Sequence, residues 1–198
     1  YVEKACKEVG MGLRSGSLVI FQSTVGPGVT ENLVKETLEN ASGLKAGTDF
    51  GLAYCQIRAA SEQVLEDVVT HAIVVGAINQ QSLKVACLAL ETITKGEIVT
   101  VRNIRTAEAV KLFENTCLDV NVALANEFAR FCEKAGIDFV EARNAANMQA
   151  HCYLQVPGIA GGGHTSKDPY LLAAEAEEVN VKLRTLTLAR KINDEMLT

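Results

Sequence analysis

The chain has 198 residues, 48% of them hydrophobic, which is enough for one full domain or parts of two. A net charge of −5, with 22% charged residues and the 19 lysines and arginines spread along the chain, argues against binding a nucleic-acid backbone. No apolar run approaches the length of a membrane span.

The six cysteines (Cys6, Cys55, Cys87, Cys117, Cys132 and Cys152) stand far apart and form no C-x-x-C pair. In a chain with a sizeable core they read as reduced thiols of a cytoplasmic protein, not as a disulfide framework. A helical pattern is already under way at Tyr1, and another runs to Thr198. Both ends read as those of a fragment or a truncated chain.

The first half alternates strand and helix. Ser17–Gln22 (SLVIFQ) reads as a buried strand after a turn at Arg14–Gly16. Pro27–Asn40 reads as a helix, with Pro27 preset for its first turn. Phe50–Tyr54 and Ala72–Val75 are the second and third strands. Gln80–Lys95 is helical, and Glu97–Val101 is a short fourth strand. The alternation predicts an α/β fold with a parallel, Rossmann-like sheet covered by helices. No G-x-G-x-x-G occurs, so the phosphate-binding half of such a fold is missing.

The second half is all helical. Thr106 is expected to cap a long helix that runs to Ala135 and stops at Gly136. Phe139–Met148 forms a short helix, and a glycine-rich segment, PGIAGGGHTSKDPYLL, spans Pro157–Leu172. One last helix is expected from Pro169 to the end. Its apolar positions Leu172, Ala176, Val179, Leu183 and Leu186 form a stripe suited to packing on another long helix, in this chain or a partner. The predicted division is 1–103, part of a Rossmann-like domain, and 104–198, a helical dimerisation and substrate domain.

Three constellations carry possible chemistry. Ser23-Thr24-Val25-Gly26-Pro27-Gly28 follows a strand and precedes a helix. A hydroxyl there either faces a ligand beyond the carboxyl end of the strand or merely caps the helix. Lys111 and Asn115, four apart on the long helix, share a face. An ammonium beside an amide stabilises a developing oxyanion; the bland alternative is a solvated Glu108–Lys111 ion pair. Asp168 follows the run Gly161-Gly162-Gly163-His164, whose glycines allow close backbone approach to a ligand. Asp168 is then either a helix cap or a base toward water, and His164 either a base or structural.

These motifs, in this order, resemble the UDP-glucose/GDP-mannose dehydrogenase family of nucleotide-sugar 6-dehydrogenases, and most of all its UDP-N-acetylmannosamine branch. The matching runs are STVGPGVTE at Ser23–Glu31, AEAVKLFEN at Ala107–Asn115, DVNVALANEFARFCEKAGID at Asp119–Asp138, and PGIAGGGH…KDPYLL. The resemblance implies part of an NAD-binding Rossmann domain followed by a central domain that forms a homodimer through its long helices. It implies a cytoplasmic enzyme of polysaccharide biosynthesis that takes NAD and a UDP-sugar and holds no metal. Lys111 and Asn115 match the family's oxyanion-stabilising pair, Asp168 its water-activating aspartate and Thr24 its active-site threonine. Gly161, Gly162, Gly163, His164 and Arg58 fall at substrate positions, and Ser23, Thr24 and Lys167 at cofactor positions.

Two departures stand out. The family loop carries a cysteine after Gly-His that holds the aldehyde and yields a thioester. Here Gly163-His164 runs into Thr165-Ser166-Lys167-Asp168, one residue shorter and without the thiol. The family also has Pro-Glu before the arginine of Tyr54-Cys55-Gln56-Ile57-Arg58, where the glutamate position is Ile57. An unactivated hydroxyl replaces a thiolate poorly. Cys55 and Cys152 are the nearest candidates for a relocated thiol. The expectation is an inactive fragment of an atypical dehydrogenase, with a catalytically degenerate sugar-binding or scaffold protein as the alternative.

Overall fold

A computed structural model describes residues 1–56, 58, 64–159 and 167–197. The chain divides into two units, Tyr1–Lys111 and Leu112–Thr198.

In the first unit, helix α1 (Val2–Gly12) leads into β1 (Leu18–Phe21). A wide helical turn over Thr30–Val34, with Val34 N–H reaching Val29 C=O, runs into α2 (Lys35–Ser42). Then come β2 (Gly51–Cys55), α3 (Val64–Thr70), β3 (Ile73–Ala77), α4 (Gln80–Glu91) and β4 (Ile98–Thr100). The helix expected from Pro27 therefore begins at Thr30, and α3 was not expected at all.

The four strands lie in sequence order. β1–β2 and β3–β4 are parallel, whereas β2–β3 is antiparallel. This departs from the all-parallel expectation. β3 is buried and apolar from end to end (IVVGA), so nothing in its own residues marks its direction. The carboxyl ends of β1 and β2 share one edge.

Alternation places β2 in two cores at once. Leu52 and Tyr54 join Cys6, Val34, Leu38 and Ile104 on one face; Ala53 and Cys55 join Val75, Ala86 and Leu90 on the other. α1 packs on α2, where Gly10 meets the Ala41 side chain. α4, capped by the Asn79 side chain through Ser82 N–H, covers the opposite face.

Helix α5 (Ile104–Ala135) starts in the first unit and carries the chain into the second. Its start is capped by Asn103, whose Oδ1 accepts the Thr106 N–H and hydroxyl at 2.8 Å each. Thr106 was expected in that role; it lies inside the helix. Gly136, at φ +66°, ends it. The second unit continues with α6 (Phe139–Ala146), capped by Asp138, then α7 (Asp168–Glu178) and α8 (Arg184–Asp194).

The single final helix expected from Pro169 is therefore two. The chain turns at Asn180, with φ +60°, within Val179-Asn180-Val181. Two β-branched residues flank an asparagine that tolerates the left-handed region, so the helix breaks there. The expected stripe is interrupted accordingly: Val179 is 68% exposed and Leu186 only 5%.

Candidate active site

In the first unit the chain leaves β1 through the turn that holds Ser23 and Thr24. Ser23 is exposed and Thr24 half-buried. Neither caps the helix that follows. The N–H groups of Gly28 and Thr30 point instead at the carboxylate of Glu108, from α5. Glu108 is fully buried, which corrects its reading as half of an exposed ion pair with Lys111. Burial pushes its carboxyl above the usual range, against the pull of those donors.

Beyond the carboxyl ends of β1 and β2 lies a small cavity of about 140 Å³, lined by Gln22, Cys55, Gln56, Arg58, Asp67 and His71 among others. Arg58 donates to the Ala72 carbonyl at 2.9 Å, and Asp67 lies 3.5 Å from the His71 ring. Burial pushes the Cys55 thiol up to about 11. It is therefore protonated at neutral pH and unsuited as a relocated nucleophile. Lys111, half-buried on α5, closes the set of predicted residues in this unit. Ile57 lies outside the described residues.

In the second unit Asp168 opens α7 with its side chain fully enclosed. Asn115 Nδ2 donates to its Oδ2 at 2.5 Å, and Lys167 Nζ lies 2.6 Å from its Oδ1. The carboxylate is thus oriented at both oxygens before any ligand arrives. Gly161, Gly162, Gly163, His164, Thr165 and Ser166 lie outside the described residues.

Further along the same face of α5, Asp119 pairs with Arg190 of α8 at 2.5 Å. Arg190 also reaches Asp194. Asn193 Nδ2 donates to Asp119 twice, each at 3.0 Å, and Asn126 Nδ2 donates to Asn193 Oδ1. Asn126 grips the backbone of Gly158 in both directions, at 3.0 and 2.8 Å. Sequence reading passed over Asp119, Asn126, Arg190 and Asn193. The visible signal was three polar residues at i, i+4 and i+11 on one side of a helix otherwise rich in apolar positions.

Residues 1–94 match the model of the NAD-binding domain of the UDP-glucose/GDP-mannose dehydrogenase family, and residues 105–195 match that of its central domain. The chain belongs to the UDP-glucose/GDP-mannose dehydrogenase family. It is 38% identical over 197 residues to the UDP-N-acetyl-D-mannosamine dehydrogenase of Pyrococcus horikoshii, covering 99% of this chain and 46% of that protein. It is 35% identical to the enzyme of the same name from Methanocaldococcus jannaschii, covering 99% and 43%. Among solved structures, the Pyrococcus horikoshii dehydrogenase superposes with a TM-score of 0.91 at 36% identity over 99% of this chain and 46% of that one. A UDP-glucose dehydrogenase from Pyrobaculum islandicum gives 0.86 at 25%, over 98% and 46%. The chain spans just under half the length of these relatives.

NAD is the cofactor of this domain family. The described residues fit part of it. The carboxyl ends of a parallel strand pair are where an α/β sheet takes its ligand, and the turn with the exposed Ser23 and half-buried Thr24 follows β1 there. Among the described residues no group of three or more His, Cys, Asp or Glu side chains is arranged to hold a metal. Nor is any helix among them long and apolar enough to cross a membrane.

Proposed function

We propose that the protein to which this chain belongs is a cytoplasmic, homodimeric NAD-dependent dehydrogenase that oxidises C6 of a UDP-N-acetylhexosamine of the UDP-N-acetylmannosamine type towards the uronate, for polysaccharide synthesis. The observation that carries this reading is the enclosed Asp168 carboxylate held between Asn115 and Lys167, in a chain of this family.

NAD supplies the hydride acceptor when bound. Ser23, Thr24 and Lys167 are the cofactor contacts. Thr24 also hydrogen-bonds the reacting hydroxyl. Lys111 and Asn115, one turn apart on α5, stabilise negative charge on the C6 oxygen as it forms. Gly161, Gly162, Gly163, His164 and Arg58 hold the sugar nucleotide. Because no cysteine follows His164, no thioester forms. Asp168 instead takes a proton from water as its oxygen adds to the C6 aldehyde. The resulting hydrate gives up a second hydride and leaves as the carboxylate.

Homodimerisation rests on the apolar side of α5 and α6. Phe128, Phe131, Ile137 and Val140 are 45 to 63% exposed, and an apolar groove of about 540 Å³ runs beside Leu124, Phe128 and Phe139. Light scattering should give twice the chain mass; a monomer counts against this part of the reading.

The test of the reaction is NADH formed per sugar consumed by the full-length protein with UDP-GlcNAc, UDP-ManNAc and UDP-GalNAc. Two NADH per sugar, falling to one in Asp168→Asn, supports the hydrate route. One in the wild type limits the reaction to the aldehyde. None, with sugar still bound, favours the second reading, a degenerate nucleotide-sugar-binding relative. The missing cysteine is the observation that keeps that reading in view.

A further inference from the structure

Glu108 sits on α5 one turn before Lys111, and its side chain has no exposure to solvent. Oε2 accepts the N–H of Gly28, and Oε1 accepts that of Thr30 at 2.8 Å. These N–H groups belong to the start of the helical run that begins at Thr30, where donors normally lack partners. The residue ahead of that run is Val29, whose side chain has no oxygen to offer. A carboxylate from 80 residues along the chain fills the place. These bonds meet both carboxyl oxygens and offset part of the cost of burying the group.

Val25 packs the middle of the turn into the core, but the turn's hydrogen bonding to the rest of the chain is sparse. Among the described residues, the Gly28–Glu108 bond is the one hydrogen bond from the stretch 23–28 to a distant part of the chain. Close packing adds to it. Gly28 has φ +104°, and a Cβ there would lie 3.0 Å from the Arg105 guanidinium. The Arg105 side chain from the first turn of α5 thus lies against the turn, and the left-handed φ holds Gly28 to glycine.

We infer that Glu108 is a positioning residue, fixing the turn that carries Thr24 against the helix that carries Lys111. It touches no substrate. It sets the spacing of a hydroxyl and an ammonium that act on one oxygen, and small misplacements of such groups cost rate steeply. The inference rests on the roles proposed above for Thr24 and Lys111.

The experiment compares wild type, Glu108→Gln and Glu108→Asp in the full-length protein. Glutamine keeps the shape but turns an NH2 toward one of the two N–H donors. Aspartate keeps the charge on a shorter stem. The expected result for Glu108→Gln is a fall in kcat of at least ~10-fold with KM for the UDP-sugar within about 2-fold, and partial recovery in Glu108→Asp. Amide hydrogen exchange in residues 23–30 should quicken in Glu108→Gln while that of β2 and β3 stays as in wild type. Unchanged kcat, or unchanged exchange in 23–30, overturns the inference. So does a loss of kcat that tracks a general loss of protection across the sheet. If wild type forms no NADH with any UDP-sugar, the proposed reaction falls, and the exchange comparison still decides whether Glu108 holds the turn. If Glu108→Gln fails to fold, Glu108→Asp decides on the same two readouts.

Discussion

Two side chains show how burial changes what a residue can do. Cys55 looks, in sequence, like a thiol near the strand ends. Its 1% exposure and a thiol pushed to about 11 make it a small apolar core residue. Iodoacetamide at pH 7 should label the exposed Cys117 of the native chain and leave Cys55 unmodified; labelling of Cys55 under native conditions would restore it as a nucleophile. Glu108 is the converse case. Its carboxyl is pushed up by burial, so the folded state binds its proton more tightly than the unfolded state does. The associated stability is complete below about pH 4.3, the ordinary glutamate value, and is lost as pH rises from there through the raised folded value. The urea midpoint of wild type minus that of Glu108→Gln should therefore fall as pH rises above the ordinary glutamate value of about 4.3. A difference that rises instead would mean that the two N–H donors outweigh burial.

At the scale of elements, the strands were legible because each is a short apolar run between turn residues. The long α5 was legible from its period and from Gly136. What escaped was set by partners far along the chain. The direction of β3 depends on its pairing with β2, which its own apolar run does not reveal, and α3 (VLEDVVT) is too brief and mixed to show a helical period. The break at Asn180 hides inside an apolar spacing that continues through it. Glu108 invited a local pairing with Lys111, whereas its partners lie 78 and 80 residues away. Of the site, Asn115 and Asp168 were found from motif order, and the structure brings them into contact. Asp119 and Asn126 lay inside a matched run without being read as site residues, and Arg190 lay outside every quoted motif. One joint between elements is sharply testable. A Cβ on Gly76 of β3 would lie 2.3 Å from the Asn103 carbonyl oxygen, at the start of α5. Backbone cannot swing aside as a side chain can, so Gly76→Ala should cost about 2 to 3 kcal/mol by urea unfolding. A cost below 0.5 kcal/mol, the scatter expected at indifferent positions, would mean the joint is slack.

At the scale of the molecule, each unit has its own means of holding together. The first relies on two apolar layers about a sheet. The second depends on polar side chains enclosed between α5, α7 and α8, with Asp119 and Arg190 at the centre. Removing one member of a buried ion pair typically costs about 3 to 5 kcal/mol, because the other is left charged in the interior. A chain ending at residue 183 should lose the protease resistance of residues 112–159 while the sheet of the first unit survives; a resistant second unit would show that α8 is dispensable. The same bond has a meaning in time. Asp119 and its counter-ion are separated by 71 residues. At about 5 to 20 residues per second, a growing chain carries Asp119 out of the ribosome roughly 4 to 14 s before Arg190 can meet it. For that interval Asp119 has water, or a chaperone, in place of its counter-ion.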